Sequence, residues 1–495
     1  MPRRRPPWLP SPPRRLPVAL LSLLLVGVPG LLTPAPAPLA QEPSDPVEGS
    51  WTGILELPGG QELPIVFHIL RELDGTYTAT MDSPAQGAFG MPVASVAVAG
   101  DSVTLELPPL QARYRGAVTA PNRMEGEWEQ GPMAFPLPLE RGEATGEFAR
   151  PPRPQDPEPP FPYRAEDVRY PNPEAGIELA GTLTVPEGEG PFPAVALITG
   201  SGAQDRDQSI LGHRPFLVLA DHLTRQGIAV LRSDDRGVGE SGGDFTSATS
   251  RDFAGDAAAA VAYLRSRPEV DQERVGLVGH SEGGVIAPMV AVEWGGVDFV
   301  VLLASPGLPG AELLAMQGAA IGRAMGVSDE AIQESARIQA AFFQIILEED
   351  DPDLRVERAE ALLRQVVAES DPDERAAQGI PPGGEEAWIA GQLQMAGSEW
   401  LRFFLAYDPR EHLTRLEIPA LALLAGKDTQ VPAEENRPEL EWALAGAPGA
   451  EVRILPGLNH LFQTAETGAP AEYAQIEETF APAALEAVAA WILAR

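Results

Sequence analysis

Hydrophobic and polar positions follow two different rhythms along this chain. From about residue 49 to 141, apolar residues come in short runs at 63–70, 76–80, 93–98, 102–107, 113–118 and 124–128. Turn signals such as Asp74-Gly75 and Ala99-Gly100-Asp101 separate some of them. This pattern predicts a small antiparallel all-β domain over residues 47–143. Within it Trp51, Phe67, Tyr77, Tyr114 and Trp128 are read as core, with a ligand-lining groove as the alternative. Residues 144–164 are too proline-rich for a helix or a central strand and are expected to form an extended linker.

From residue 165 to 495 the rhythm changes. Near-continuous apolar runs at 193–199, 228–231, 275–278, 299–303 and 420–424 suit strands buried on both faces. A further strand is expected at 451–455, and 177–185 as an edge strand. Helical patterns at 216–226, 254–267, 434–444 and 481–493 alternate with these strands. Such alternation predicts an α/β domain with a doubly wound, mostly parallel sheet. At about 306–410 the alternation stops. Four helical patterns follow one another there, at 311–325, 329–347, 354–368 and 385–407, and are expected to form a helical cap over the sheet.

Charge and composition narrow the partners. A net charge of -35 argues against nucleic acid and anionic membrane surfaces. There is no cysteine, so no disulfide framework and no lipid-modified thiol. Lys427 is the only lysine. At the start, Arg3, Arg4, Arg5, Arg14 and Arg15 precede an apolar stretch at 16–32, which leads to Pro38-Leu39-Ala40. Basic, apolar and small-residue regions in this order predict a secretory signal over residues 1–40 and a secreted or periplasmic mature protein. Pro29 interrupts the apolar stretch, so a stable membrane span is not expected; an uncleaved anchor is the alternative.

The candidate chemistry centres on Gly279-His280-Ser281-Glu282-Gly283. A predicted strand precedes it and a helical pattern follows, the context a nucleophile elbow needs. Gly279 and Gly283 would allow the close approach that such a turn demands. Ser281 is the candidate nucleophile and needs a base. Of the six histidines, only His460 follows the predicted last strand in a loop. His68 lies in the β domain, His280 inside the elbow, His213 and His222 before it, and His412 ahead of the candidate acid. Asp428, directly after the apolar run 420–424, is the candidate acid, with Glu434 and Glu435 as fallbacks. Oxyanion donors are expected from the Glu282 N–H and from the Ser201 or Gly202 amide, with the choice between those two open. Asp205-Arg206-Asp207 is expected to orient that loop through an ion pair or to touch substrate, with a solvated turn as the alternative. Gly237-Val-Gly-Glu-Ser-Gly242 fits a dinucleotide fingerprint, but Asp234, Asp235, Glu240 and Asp244 would repel a pyrophosphate. No cofactor and no metal are expected.

These motifs together resemble the α/β-hydrolase superfamily over roughly residues 167–495. They are most similar to its secreted bacterial members grouped with serine aminopeptidases and carboxylesterases. The matching pieces are Leu197 to Asp207, Asp235 to Ser241, the elbow, the Asp428 loop and Asn459-His460. The resemblance implies Ser281 as nucleophile, His460 as base, Asp428 as acid, an acyl-enzyme, and a cap that shapes the substrate pocket. Thr199-Gly200 stands where many members carry His-Gly. The β-rich module resembles an extra domain found ahead of such hydrolases. The expected function is an exported serine hydrolase acting on small carboxylic esters. The alternatives are an aminopeptidase or amidase on short peptides, or a thioesterase; more remotely, a binding module beside a vestigial hydrolase. The run Glu348-Glu349-Asp350-Asp351 could hold a peptide amine, or be a solvated helix end.

Overall fold

The computed structural model describes residues 45–495, apart from 58–60, 72–74, 85–87, 108–109, 111, 132, 143–150 and 381–382. The expected signal at 1–40 lies outside the described residues, as do Asp74 and the first part of the linker. Among the described residues no helix is long and apolar enough to cross a membrane.

The first sheet is an antiparallel half-barrel. Its strands are β1 (Gly49–Leu57), β2 (Gln61–Arg71), β3 (Tyr77–Ser83), β4 (Ala88–Pro92), β5 (Ser95–Ala99), β6 (Ser102–Leu107), β7 (Ala112–Ala120), β8 (Arg123–Gln130), β9 (Met133–Pro136) and β10 (Leu139–Arg141). They run in the order β4-β3-β2-β1-β10-β8-β7-β6-β5, with β9 beside β8. Alternate residues face inward, so Trp51, Phe67, Tyr114 and Trp128 pack in one core with Leu105 and Leu139. Tyr77 is partly buried against that core and donates its hydroxyl to Asp45, 2.6 Å away. The aromatic residues are therefore core.

Residues 151–162 contain no helix or strand, as the prolines dictate, yet they do not hang free. The Arg153 guanidinium donates to the carbonyls of Ala474 and Ile476 at 2.8 and 2.9 Å. Gln155 accepts from the Thr479 and Phe480 amides at 2.6 and 3.0 Å. Asp156 pairs with Arg214 at 2.9 Å.

The second sheet holds β11 (Tyr163–Asn172), β12 (Ile177–Pro186), β13 (Phe192–Ile198), β14 (Ala229–Ser233), β15 (Val270–His280), β16 (Phe299–Leu303), β17 (Ala420–Ala425) and β18 (Glu451–Leu455). Their order is β11-β12-β14-β13-β15-β16-β17-β18. Pairing from β14 through β18 is parallel, and β11 and β12 are antiparallel to their neighbours. The expected edge strand, β12, is interior. β11 takes the edge because its alternating polar pattern tolerates one wet face, whereas β12 is buried over most of its length. One face is covered by α2 (Ser250–Arg265) and α3 (Glu282–Glu293), the other by α1 (Pro215–Arg225) and α12 (Pro482–Leu493), with α11 (Ala433–Ala443) beside β17. Val195, Val278, Val301 and Leu423 are fully shielded from solvent. Each such side chain contributes about 1.5–3 kcal/mol by burial.

Between β16 and β17 come α4 (Gly310–Ala324), α5 (Asp329–Glu348), α6 (Pro352–Glu369), α7 (Pro372–Ala377), α8 (Glu385–Ala396), α9 (Glu399–Ala406) and α10 (Arg410–Leu413). Residues 318–398 form a compact unit of their own. The pattern at 385–407 resolves into two helices, α8 and α9, broken at Gly397-Ser398. The acidic run ends α5 and starts α6, where Asp351 accepts from the Asp353 and Leu354 amides as an N-cap.

The sheet order brings the site together. β13 is the first parallel strand, and the chain lays β14 on one side of it and β15 on the other. The loops leaving β13 and β15 therefore diverge at a switch point, where α/β sheets open a crevice at their carboxyl edge.

Candidate active site

Ser281 stands at the top of β15, immediately before α3. Its φ of 55° and ψ of -116° lie in a region that side chains avoid, and its amide donates to the Leu303 carbonyl at 2.8 Å. This strain is held by packing on both sides. A Cβ on Gly279 would run into the Gly283 carbonyl, and one on Gly283 into the Ile198 carbonyl. Close backbone approach thus leaves no room for a side chain at either glycine. Gly283→Ala is expected to cost about 3 kcal/mol or to displace the elbow. Urea unfolding together with ester turnover checks this: an active variant of wild-type stability would refute the crowding.

His460 and Asp428 meet. His460 Nδ1 donates to Asp428 Oδ2 at 2.8 Å, and both residues are buried. The other carboxylate oxygen, Oδ1, accepts from the Gln430 and Val431 amides at 2.8 and 2.9 Å. The acid is thereby fixed in orientation, and the bond assigns the proton to Nδ1, leaving Nε2 free to accept. Lys427 braces the same pair of loops. Its ammonium donates to the Ala465 and Glu466 carbonyls at 2.7 and 2.8 Å, and its amide to the Leu458 carbonyl at 2.8 Å. Glu434 and Glu435, the fallback acids, lie exposed in the first turn of α11.

Ser281 is half-buried beside this pair. No hydrogen bond joins its hydroxyl to the His460 ring among the described residues. The neighbouring His280 connects the two loops. Its Nε2–H donates to the His460 carbonyl at 2.9 Å, and its Nδ1 accepts from the Gln208 amide group at 2.7 Å. The two imidazole centroids are 4.8 Å apart. Burial, reinforced by the neighbouring His460, pushes the His280 pKa down to about 3.

That shift makes a stability prediction. An unfolded histidine takes up a proton below about pH 6.5. The buried ring refuses it until about pH 3. The unfolded state therefore binds more protons in this window, and stability falls by up to about 1.4 kcal/mol per pH unit on acidification. Urea midpoints from pH 7 to 4 should show a steeper acid loss for wild type than for His280→Gln. Equal slopes would contradict the buried neutral ring.

The loop after β13 lies against Ser281: a Cβ on Gly200 would sit 3.3 Å from the Ser281 Cβ. Gly202 has a φ of 98°, which favours glycine. Asp235 pins the loop's ends, accepting from Thr199 Oγ1 at 2.8 Å and from the Gln204 amide at 2.9 Å. Burial raises the Asp235 carboxyl well above its ordinary range. Arg206 clasps Asp234 with Nε and Nη2, at 3.0 and 2.7 Å. Asp207 pairs with the buried Arg232. The acidic-basic triplet therefore orients its loop. The glycine-rich turn closes on itself, with the Gly237 amide donating to the Gly242 carbonyl at 3.0 Å and the Glu240 amide to Asp234.

His412 and His213 are engaged elsewhere. His412 lies 2.9 Å from Glu293 and 2.8 Å from the Tyr407 hydroxyl. His213 is fully buried against Thr479 and Gln463. Gln208, Ser250, Trp400 and Gln463, which brace this region, had no sequence signal of their own. No group of three metal-ligating side chains occurs among the described residues.

Residues 214–338, which include the elbow but neither Asp428 nor His460, match the family model "serine aminopeptidase, S33". The chain is 29% identical over 296 residues to the esterase EstD of Thermotoga maritima, covering 60% of this chain and 61% of that protein. It thus spans less than two thirds of that relative's length. Two solved structures resemble part of the chain. An esterase of Pyrococcus furiosus, Pf2001, has a TM-score of 0.37 at 16% identity, with 59% of this chain and 83% of that one covered. Est1E of Butyrivibrio proteoclasticus, solved with ferulic acid, has a TM-score of 0.36 at 16% identity, with coverage of 66% and 98%. With its sheet order and elbow, the chain has an α/β-hydrolase fold, and its central segment is similar to the serine aminopeptidase S33 family.

Proposed function

We propose that this protein is an exported serine hydrolase that cleaves small carboxylic esters through an acyl-enzyme. The observation that carries the reading is the buried His460–Asp428 bond of 2.8 Å at the sheet edge that also presents the strained Ser281. His460 Nε2 removes the Ser281 proton as the hydroxyl attacks the ester carbonyl. Asp428 holds the ring and stabilises the imidazolium. The Glu282 N–H, with the Ser201 or Gly202 amide, takes the negative charge on the carbonyl oxygen. The imidazolium then protonates the leaving alcohol. Water, deprotonated by the same ring, attacks the acyl-enzyme, and the acid departs as Ser281 regains its proton. None of these steps needs a metal or an organic cofactor.

Similarity to EstD favours an ester over an amide, and the serine aminopeptidase match keeps short peptides as the second reading. Turnover of p-nitrophenyl acyl esters from acetyl to decanoyl, compared with aminoacyl p-nitroanilides, separates them. Ester turnover with slow or absent amide turnover is expected. Cleavage of the anilides alone would replace the esterase reading with the aminopeptidase one.

A further inference from the structure

Glu282 contributes more to this site than its backbone N–H. Its side chain is only 3% exposed, as the first residue of α3. Ser250 Oγ, at the start of α2, donates to Oε1 at 2.6 Å. Trp400 Nε1, on α9, donates to the same oxygen at 2.8 Å. The Ser201 hydroxyl is close enough to lower this carboxyl's pKa, and Glu282 lines one cavity with Gly200 and Gly202, the residues on either side of Ser201. Three elements far apart in sequence thus converge on one acid, and all three groups are neutral. Burial raises its pKa above the ordinary range, with the three groups offsetting part of the rise. A buried acid without a cation is a costly way to fill space, so its placement calls for a reason in geometry.

The reason lies in which loops it joins. The two sides of the expected oxyanion hole are the Glu282 N–H and the amides of the loop after β13. Asp235 holds that loop at Thr199 and Gln204, its two ends. Ser201 lies between those anchors, next to Gly202. We propose that the Glu282 carboxyl is a positioning residue: through Ser201 it sets the spacing of the oxyanion donors, and through Trp400 it fixes α9 to the elbow. This rests on the serine hydrolase reading and deepens it. Oxyanion donors act only when aimed within a few tenths of an ångström of the developing charge. Releasing the loop should therefore slow acylation while leaving ground-state binding nearly unchanged.

The test uses the full chain, with kcat and KM on a p-nitrophenyl ester expressed per active site titrated by a fluorophosphonate. Glu282→Ala should lower kcat about 30–100-fold with KM within about twofold. Ser201→Ala, which keeps its backbone amide, should lose about 10–30-fold. The double variant should be no slower than Glu282→Ala, because both remove one link. Glu282→Gln should recover kcat to within about fivefold of wild type, since an amide can accept from Ser250 and Trp400 and donate to the Ser201 hydroxyl. Wild-type kcat per titrated site in Glu282→Ala would overturn the proposal, as would multiplicative losses in the double variant. If Glu282→Ala does not fold, Ser201→Ala and Glu282→Gln decide alone: wild-type kcat in Ser201→Ala, or no recovery in Glu282→Gln, overturns it. A wild-type protein that neither turns over esters nor takes the fluorophosphonate at Ser281 would instead sink the hydrolase reading itself.

Discussion

Replacing Ser281 with alanine is expected to lower ester kcat by about 10⁴-fold or more, leaving the fold and KM little changed. The residue is half-buried, so the lost hydroxyl leaves no buried partner stranded. Alanine keeps the Cβ and loses only the hydroxyl, so it adds no crowding at the strained φ of 55°. In the proposed reaction, what disappears is the atom that forms the acyl-enzyme. Any remaining rate would come from water acting beside preorganised oxyanion donors. Steady-state rates on p-nitrophenyl acetate, alongside circular dichroism to establish folding, measure it. Retention of even a tenth of the activity would assign the nucleophile elsewhere.

Asp428→Asn is expected to lower kcat by about 10³–10⁴-fold with the fold intact. The substitution is nearly isosteric, and its carbonyl oxygen can keep the Gln430 and Val431 amide bonds now made by Oδ1. The amide nitrogen would then face His460 Nδ1, where Asp428 Oδ2 accepts at 2.8 Å today. A donor there turns the ring to its other tautomer, with the proton on Nε2, where a base must be vacant. It also withdraws the negative charge that stabilises the imidazolium. A rate near wild type would show that the carboxylate is structural and would return attention to the exposed acids of α11.

Much of the architecture was legible because it depends on local pattern. The run Val275 to Val278, the pentapeptide and the helix after it form one continuous segment, and the structure places them as β15, a strained turn and α3. Loops after apolar strands likewise placed Asp428 and His460 at the same sheet edge. Sheet order was not legible. β12 has an alternating start that suits an edge, yet β11 precedes it and takes that place. The proline-rich segment 151–162 is irregular as expected. However, its docking relies on Arg153 reaching carbonyls at Ala474 and Ile476, more than 300 positions away. The braces of the site share this property. Gln208 meets His280 across 72 positions, and Trp400 meets Glu282 across 118. No period or short motif encodes such pairs, since the partners become neighbours only once the sheet has formed. The role of Glu282 was half visible: the motif points to its N–H, whereas the carboxyl's partners lie on two helices and a loop.

In the proposed reaction Ser281 is a nucleophile activated by His460 and Asp428. Reaction of the full chain with a fluorophosphonate, followed by peptide mapping in a mass spectrometer, tests it most directly. One adduct is expected, on the peptide bearing Ser281, that disappears in Ser281→Ala and forms far more slowly in Asp428→Asn. An unmodified Ser281 in folded wild-type protein, or an adduct that persists in Ser281→Ala, would contradict it.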